Sequence, residues 1–332
     1  MKFAKVLGLR LLTWALVIWI GVSFIFFIPR MFPSDPVEAM IAQMTAKSGT
    51  MDPEAKEALR SSLRRQFGLE GTIWEQYTYY LQHGLFQFDF GPSLMNYPTA
   101  VMDIIKTYLP YTLGLAVTCT LLGWIIGNSI GLLAGFRPNK RSSKIMEAVA
   151  ITIYPIPYFI VALVLQIVFA FILGWFPVQA TIVTTGSTGQ FVTSLIRSSI
   201  LPAASQLLLN TGWWIISMKA LSSTIAAEDF VYYARYRGMS ENKIGFGYVF
   251  RNSILTQITA LAMSLGGAFN GALMTEIIFS YPGVGKLMQN AVLQSDYNMI
   301  EGTITLSIIS IATCTLIADL VYPFIDPRIR YA

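Results

Sequence analysis

The sequence predicts an all-α membrane protein with six transmembrane helices, and three observations lead there. The chain is 54% hydrophobic and 12% charged, against roughly 25% charged residues in soluble domains. Six apolar stretches, 11–29, 111–135, 145–173, 201–221, 254–278 and 303–324, each approach the roughly 20 residues needed to cross a hydrocarbon core. Lys and Arg are distributed unevenly among the connecting segments, as expected for a chain with a fixed orientation in a bilayer.

The first apolar run exceeds the roughly 7–15 residues of a secretory signal core, and Ile28-Pro29-Arg30-Met31 is no small-residue cleavage site. It is expected to stay as a spanning helix, residues 1–29. Residues 30–106 have the grammar of a soluble segment. Asp52-Pro53-Glu54 supplies an N-cap, a first-turn proline and an early acid. Ala55, Leu59, Leu63 and Phe67 then line one face, and Arg64, Arg65 and Gly68 close the helix. Thr72-Ile73-Trp74-Glu75 is a capping box opening a second helix that ends near Gly84. Neither helix is long or apolar enough to span, so the segment is expected to form a small helical extracytoplasmic insertion, a cap after the first helix.

Residues 107–332 would hold the other five spans. Tyr154-Pro155-Ile156-Pro157 should kink the third, because each proline removes a backbone donor. In the fifth, Ser264-Leu265-Gly266-Gly267-Ala268-Phe269-Asn270-Gly271-Ala272 admits two readings. Small residues permit close helix approach; alternatively Asn270 and Met274 line a path while the glycines let the helix flex. Glu276 and Asp319 are ionisable groups near membrane depth, where burying charge is costly. Glu276 is either a path residue or a structural acid near the outer end of its span, and Asp319 reads as a helix–helix polar contact. Cys119 and Cys314 both fall inside predicted spans, in apolar roles rather than a disulfide.

With the N-terminus inside, the inner segments hold Lys2, Lys5 and Arg10; Arg137, Lys140, Arg141 and Lys144; Lys219, Arg235, Arg237, Lys243 and Arg251; and Arg328 and Arg330. The short outer loops hold only Arg197 and Lys286. This asymmetry places both termini in the cytoplasm, since the long segment 30–106 translocates largely regardless of its charge. The net charge of +5 follows from that topology, and no basic run interleaved with aromatics suggests nucleic acid.

The most informative segment lies in the inner loop 222–253. Glu228 and Asp229 open a short helix and Arg235 and Arg237 close it, complementing the helix dipole at both ends. Gly238 suits a left-handed helix end, and Ser240 suits the cap of a second helix beginning at Glu241. The run Asp229-Phe230-Val231-Tyr232-Tyr233-Ala234-Arg235-Tyr236-Arg237-Gly238-Met239-Ser240-Glu241 resembles the coupling loop of ABC importer permeases of the oligopeptide/dipeptide branch. There the pattern is Asp-Tyr-Val-x-x-Ala-Arg-Ala-Lys-Gly-Leu-Ser-Glu. Tyr236 departs from the family's alanine, and Thr256 stands where the family has a proline after the loop.

Five further stretches resemble the same family in the same order. They are Gly21-Val22-Ser23 through Phe32-Pro33-Ser34-Asp35-Pro36; Leu63 to Leu69 followed by Trp74-Glu75-Gln76-Tyr77; Leu173-Gly174-Trp175-Phe176-Pro177-Val178; Glu276 to Gly285; and the terminal Asp326-Pro327-Arg328-Ile329-Arg330-Tyr331. The resemblance implies a type I ABC importer permease fold in a prokaryotic plasma (inner) membrane. It also implies an ATPase-coupling role for Asp229, Ala234, Arg235, Gly238, Ser240 and Glu241; on the functional reading of the fifth span, Asn270, Met274 and Glu276 would lie along the translocation pathway. The implied partners are a second related permease, two cytoplasmic ATPase subunits and an extracytoplasmic binding protein. ATP and Mg would be bound by the ATPase subunits, with no cofactor in this chain. The solute would be an oligopeptide or dipeptide, with oligosaccharides or nickel chelates as alternatives.

The residues argue against several other chemistries. Gly285-Lys286-Leu287 lacks the hydroxyl residue and upstream glycine of a phosphate-binding loop. The single histidine, His83, has no adjacent ligand set, and Asp89-Phe90-Gly91 reads as a turn. An ion-coupled secondary transporter would show central coupling acids and repeated halves. An intramembrane enzyme would need a His, Ser or paired-acid constellation inside the spans.

Overall fold

A computed structural model describes residues 2–31, 35–48, 52–267 and 273–325, and the described residues are helical apart from turns and one isolated bridge, Pro92 to Ala100. Four helices are long and apolar enough to cross a membrane: Leu7–Arg30 within α1 (Lys2–Arg30), α5 (Val101–Phe136), α8 (Thr188–Ala226), and Tyr297–Val321 within α14 (Tyr297–Ile325). A fifth is added if α6 (Arg141–Ile153) and α7 (Tyr158–Leu165, continued by a π-helical stretch to Ile172) count as one span broken by a 96° bend. The bend falls on Tyr154-Pro155-Ile156-Pro157, where the prolines predicted a kink, and Pro157 caps the outgoing helix. The predicted span 254–278 is described as α11 (Arg251–Gly266) and α12 (Leu273–Ile278), with 268–272 outside the described residues.

The chain forms two compact units. The first comprises 1–111 with 283–316. Its core joins Ile18, Val22, Ile25 and Phe26 of α1 to Tyr80, Val101, Ile105 and Met299. Ion pairing supplements this apolar core. The Arg30 guanidinium lies over the Phe26 ring at 3.7 Å and pairs with the buried Glu301 carboxylate of α14. Asp296, also buried, caps α14 by accepting from Met299 N at 3.1 Å, and fixes the 93–95 turn through Ser93 Oγ at 2.6 Å and Met95 N at 3.1 Å.

Within this unit the two helices expected in 30–106 form. α3 (Pro53–Gln66) buries Leu63, and Phe67 just past its end is also buried; Gly68 closes it at φ 64°. Asp52 occupies the N-cap position without a side-chain cap bond. Thr72 and Glu75 make the expected reciprocal capping box at the start of α4 (Ile73–Tyr80), and the two hydrogen bonds from Thr72 to the Glu75 carboxylate hold its pKa below the usual range. One helix of the 30–106 segment was not expected from the sequence: α2 (Pro36–Ser48), packed on α3 through Val37, Met40 and Ile41. Asp35 starts it by accepting from Val37 N at 2.9 Å, and Arg64 Nη2 pairs with the same carboxylate at 2.7 Å. Partial burial works against the charge on Asp35, but Arg64 and the two amides of the helix start outweigh it and lower its pKa. Asp89 accepts from Gly91 N at 3.0 Å, a turn as read from the sequence.

The second unit comprises 112–282 with 317–332. α5 and α8 approach closely along Gly127, Gly131 and Gly135. A Cβ on Gly131 would lie 2.6 Å from the Ile215 carbonyl oxygen and 2.8 Å from Met218 Cβ, distances at which something must move. Lys219 of α8 pairs with Glu147 of α6. Gln166 Nε2 donates to the carbonyls of Val178 and Ile278, each at 2.8 Å, and so fastens the 174–180 turn to the end of α12.

Candidate functional site

The loop within 222–253 folds as two short helices at a sharp turn. α9 (Asp229–Tyr236) begins beyond Glu228, and α10 (Glu241–Ile244) runs through a π-helical stretch, Gly245–Phe250, into α11. Gly238 stands at φ 73°, the left-handed region open to glycine at no steric cost. Its N–H donates to Arg235 O at 2.9 Å and Met239 N–H donates to Ala234 O at 3.2 Å. Those two bonds are the Schellman pattern, which satisfies carbonyls the helix end would leave unpaired. The hydrophobic contact that usually goes with it is present too, since Met239 packs on the cluster containing Ala234.

α9 is sharply two-faced. Val231 and Ala234 are buried with Leu132 and Phe136 of α5, Met218 of α8, and Ile244 and Val249 from the second arm. Ala234 therefore sits where a larger side chain would have to displace packed neighbours. The opposite face, with Asp229, Tyr232, Tyr233 and Tyr236, is exposed. Arg235 Nε reaches Glu241 Oε1 at 3.1 Å and its guanidinium lies 5.8 Å from the Phe136 ring. Ser240 occupies the N-cap position of α10 but makes no side-chain cap bond. Thr256 lies inside α11, where a proline would remove a donor from the ladder.

Thus the structure gathers Ala234, Arg235, Gly238 and Glu241 around one turn, with Asp229 and Ser240 exposed at the starts of the two helices. The second set of sequence-chosen residues lies elsewhere in the same unit. Asn270 falls outside the described residues. Met274 on α12 is exposed, whereas Glu276 is 1% exposed and accepts from Thr112 Oγ1 at 2.7 Å. Close by in this unit, Gln206 Nε2 donates to Thr275 Oγ1 at 3.5 Å and Tyr158 meets Ser205 at 3.4 Å. Of this polar set the sequence singled out only Glu276, because the members come from four helices far apart in the chain. A cavity of about 950 Å³ lies between the 176–185 segment and the first turns of α8, lined by the hydroxyls of Thr181, Thr193, Ser194 and Ser198 with Arg197 beside them.

The comparisons with known proteins supply the class of this multi-span helical chain, a transport permease. Residues 127–331 match the family of binding-protein-dependent transport system inner membrane components, and the chain belongs to that family. It is 30% identical to the oligopeptide transport system permease protein AppB of Bacillus subtilis over 318 residues, 95% of this chain and 96% of that one. It is 28% identical to the oligopeptide transport system permease protein OppB of Haemophilus influenzae, covering 97% and 98% of the two chains. Against the glutathione transport system permease protein GsiC of Escherichia coli K12 the identity is 26%, with 92% of each chain covered. The resemblance read from the inner loop and its companion motifs therefore holds, and the chain is a multi-pass ABC importer permease.

Proposed function

We propose that this permease forms the translocation pathway for a peptide-type solute, with α1, α5, α6–α7, α8, α11–α12 and α14 as its six spans. Both termini and the α9–α10 loop face the cytoplasm of a prokaryotic cell, and 30–106 form a cap on the outer face of the plasma (inner) membrane. The charge asymmetry supports this orientation. Oligopeptide and glutathione, the solutes named for the relatives, are both built of amide-linked amino acids, which favours peptides over oligosaccharides or nickel chelates.

In this reading two ATPase subunits bind ATP and Mg, a second related permease completes the pathway, and an external binding protein delivers the solute. Asp229, Ala234, Arg235, Gly238, Ser240 and Glu241 shape the loop that an ATPase subunit grips. Asn270, Met274 and Glu276 belong to the α11–α12 side of the pathway, with Glu276 holding its wall in place rather than meeting solute. The observation that carries the reading is the packing of α9. Its buried face is part of the same cluster as α5 and α8, and close-packed interiors transmit displacement instead of absorbing it. A push on the outer face of α9 thus bears directly on two spanning helices. Movement of the ATPase pair on nucleotide binding would bias such a two-state assembly through these contacts.

Affinity purification of the full chain from native membranes tests the reading. It should bring down an ATPase subunit, and Ala234→Glu, which forces a charge into the α9 core, should release that subunit while the chain still inserts. Recovery of a transport-competent chain with no nucleotide-hydrolysing partner would contradict it.

A further inference from the structure

The outer face of α9 carries three tyrosines that the loop's own fold does not use. Tyr232, Tyr233 and Tyr236 are 47%, 69% and 86% exposed. Residues three and four apart are neighbours on a helix surface, so the three rings form one continuous patch opposite Val231 and Ala234. Phe230, by contrast, is engaged with the protein, stacked on Tyr248 at 6.4 Å. Neither helix propensity nor folding accounts for the patch. Alanine is the better helix former.

We propose that Tyr232, Tyr233 and Tyr236 are the anchor residues by which this loop selects its own ATPase subunit, and that the subunit offers them an apolar-floored cleft with polar groups at its rim. The inference rests on the reading of α9–α10 as the ATPase-docking loop. Tyrosine suits that task. It brings a large rigid surface at low entropic cost with a hydroxyl that remains wet, and hot spots of protein interfaces are enriched in it. A lipid surface is the other partner that aromatic residues suit, and charge argues against it. Glu228, Asp229 and Glu241 balance Arg235, Arg237 and Lys243 across the two helices, and Asp229 shares the tyrosine face. Membrane-surface segments of the inner leaflet are instead rich in unbalanced Lys and Arg. The partner is also constrained in shape. A cleft that seats the Tyr236 ring must have room for a side chain that is 86% exposed on the free loop.

The test uses the full chain in nanodiscs with the ATPase subunit that co-purifies with it. A photo-reactive phenylalanine analogue is placed in turn at positions 232, 233, 236 and 242, and Tyr236→Ala, Tyr236→Phe and Tyr233→Ala/Tyr236→Ala are measured for subunit affinity. Crosslinks from 233 and 236 to the ATPase, with affinity falling about ten- to thirty-fold for Tyr236→Ala and largely kept by Tyr236→Phe, are expected. Capture of the ATPase from 242 but from none of the tyrosine positions would overturn the anchor role and leave the docking loop standing. Capture of lipid from 233 and 236 would overturn it in favour of a membrane-facing helix. No ATPase capture from any of the four positions would remove both the anchors and the docking reading. Because Tyr236→Ala improves helix propensity, loss of affinity is not attributable to unfolding of α9.

Discussion

Arg235 and Glu241 meet at 3.1 Å across the left-handed Gly238, tying α9 to α10. Both side chains are a third or more exposed, and surface pairs of this kind contribute only about 0.2–1 kcal/mol. The turn itself is fixed by backbone geometry, which makes Gly238 the sensitive position and the ion pair a secondary brace.

Replacing Gly238 by valine should therefore be far more damaging than breaking the ion pair. A Cβ there would meet nothing within 4 Å, so the penalty is conformational, about 1–2 kcal/mol for a left-handed non-glycine residue. Gly238→Val is expected to insert normally but to lose the ATPase subunit or to uncouple hydrolysis from uptake. Gly238→Asn, which tolerates the left-handed region, should retain both. Uptake and stimulated ATPase rates of the two variants check this; equal, wild-type behaviour of Gly238→Val would remove the turn from coupling.

Gly131 offers a second contrast, because there the obstacle is steric. Gly131→Leu should separate α5 from α8 and expose the α9 cluster behind them, with destabilisation in the 1–3 kcal/mol range of overpacked cores. A lowered midpoint for thermal loss of monodispersity in detergent is the expected result, with Gly131→Ala intermediate. Gly114 has open space around it, and Gly114→Ala should leave the midpoint unchanged.

Much of this site was legible in the sequence and some was hidden for identifiable reasons. Gly238, the Thr72–Glu75 box and the proline bend at 154–157 are local devices, written in adjacent residues, and they formed as read. α2 and α13 (Val284–Leu293) were not anticipated, because short amphipathic helices give no hydropathy signal of spanning length. α5 (Val101–Phe136) and α8 (Thr188–Ala226) run beyond the apolar stretches 111–135 and 201–221, because helical hydrogen bonding continues through residues that hydropathy does not count. The Gly127, Gly131 and Gly135 stripe was overlooked in favour of the glycines at 264–272. The pairing of Arg30 with Glu301 joins residues 271 apart, a distance over which one sequence gives no register.

The packing of α2 on α3 should loosen in acid through Asp35. Its pKa is lowered in the folded state, so its contribution is complete above the unfolded value and is lost as pH falls through the folded one. Protection of residues 36–48 in hydrogen exchange, corrected for intrinsic rates, should be flat near neutrality and should decline below the ordinary value of 3.8. Asp35→Asn should flatten that decline at a lower level of protection. An unchanged pH profile in Asp35→Asn would show that another group controls α2.

Orientation is open to direct labelling in a chain lacking Cys119 and Cys314. Glu57→Cys, on an exposed side chain of α3, should react with a membrane-impermeant maleimide in intact spheroplasts. Lys140→Cys, exposed in the 137–140 turn, should react only after permeabilisation. The reverse pattern would invert the topology and place α9 outside.

Solute uptake with defined energy sources bears most directly on the claim that this is the permease of an ATP-driven importer. The complete complex is reconstituted in proteoliposomes with its binding protein outside, ATP enclosed on the cytoplasmic face, and a labelled peptide as solute. Accumulation that requires enclosed ATP and continues after proton and sodium gradients are collapsed is the predicted result. Uptake that is indifferent to ATP and stops when the gradients collapse would contradict it and identify an ion-coupled transporter.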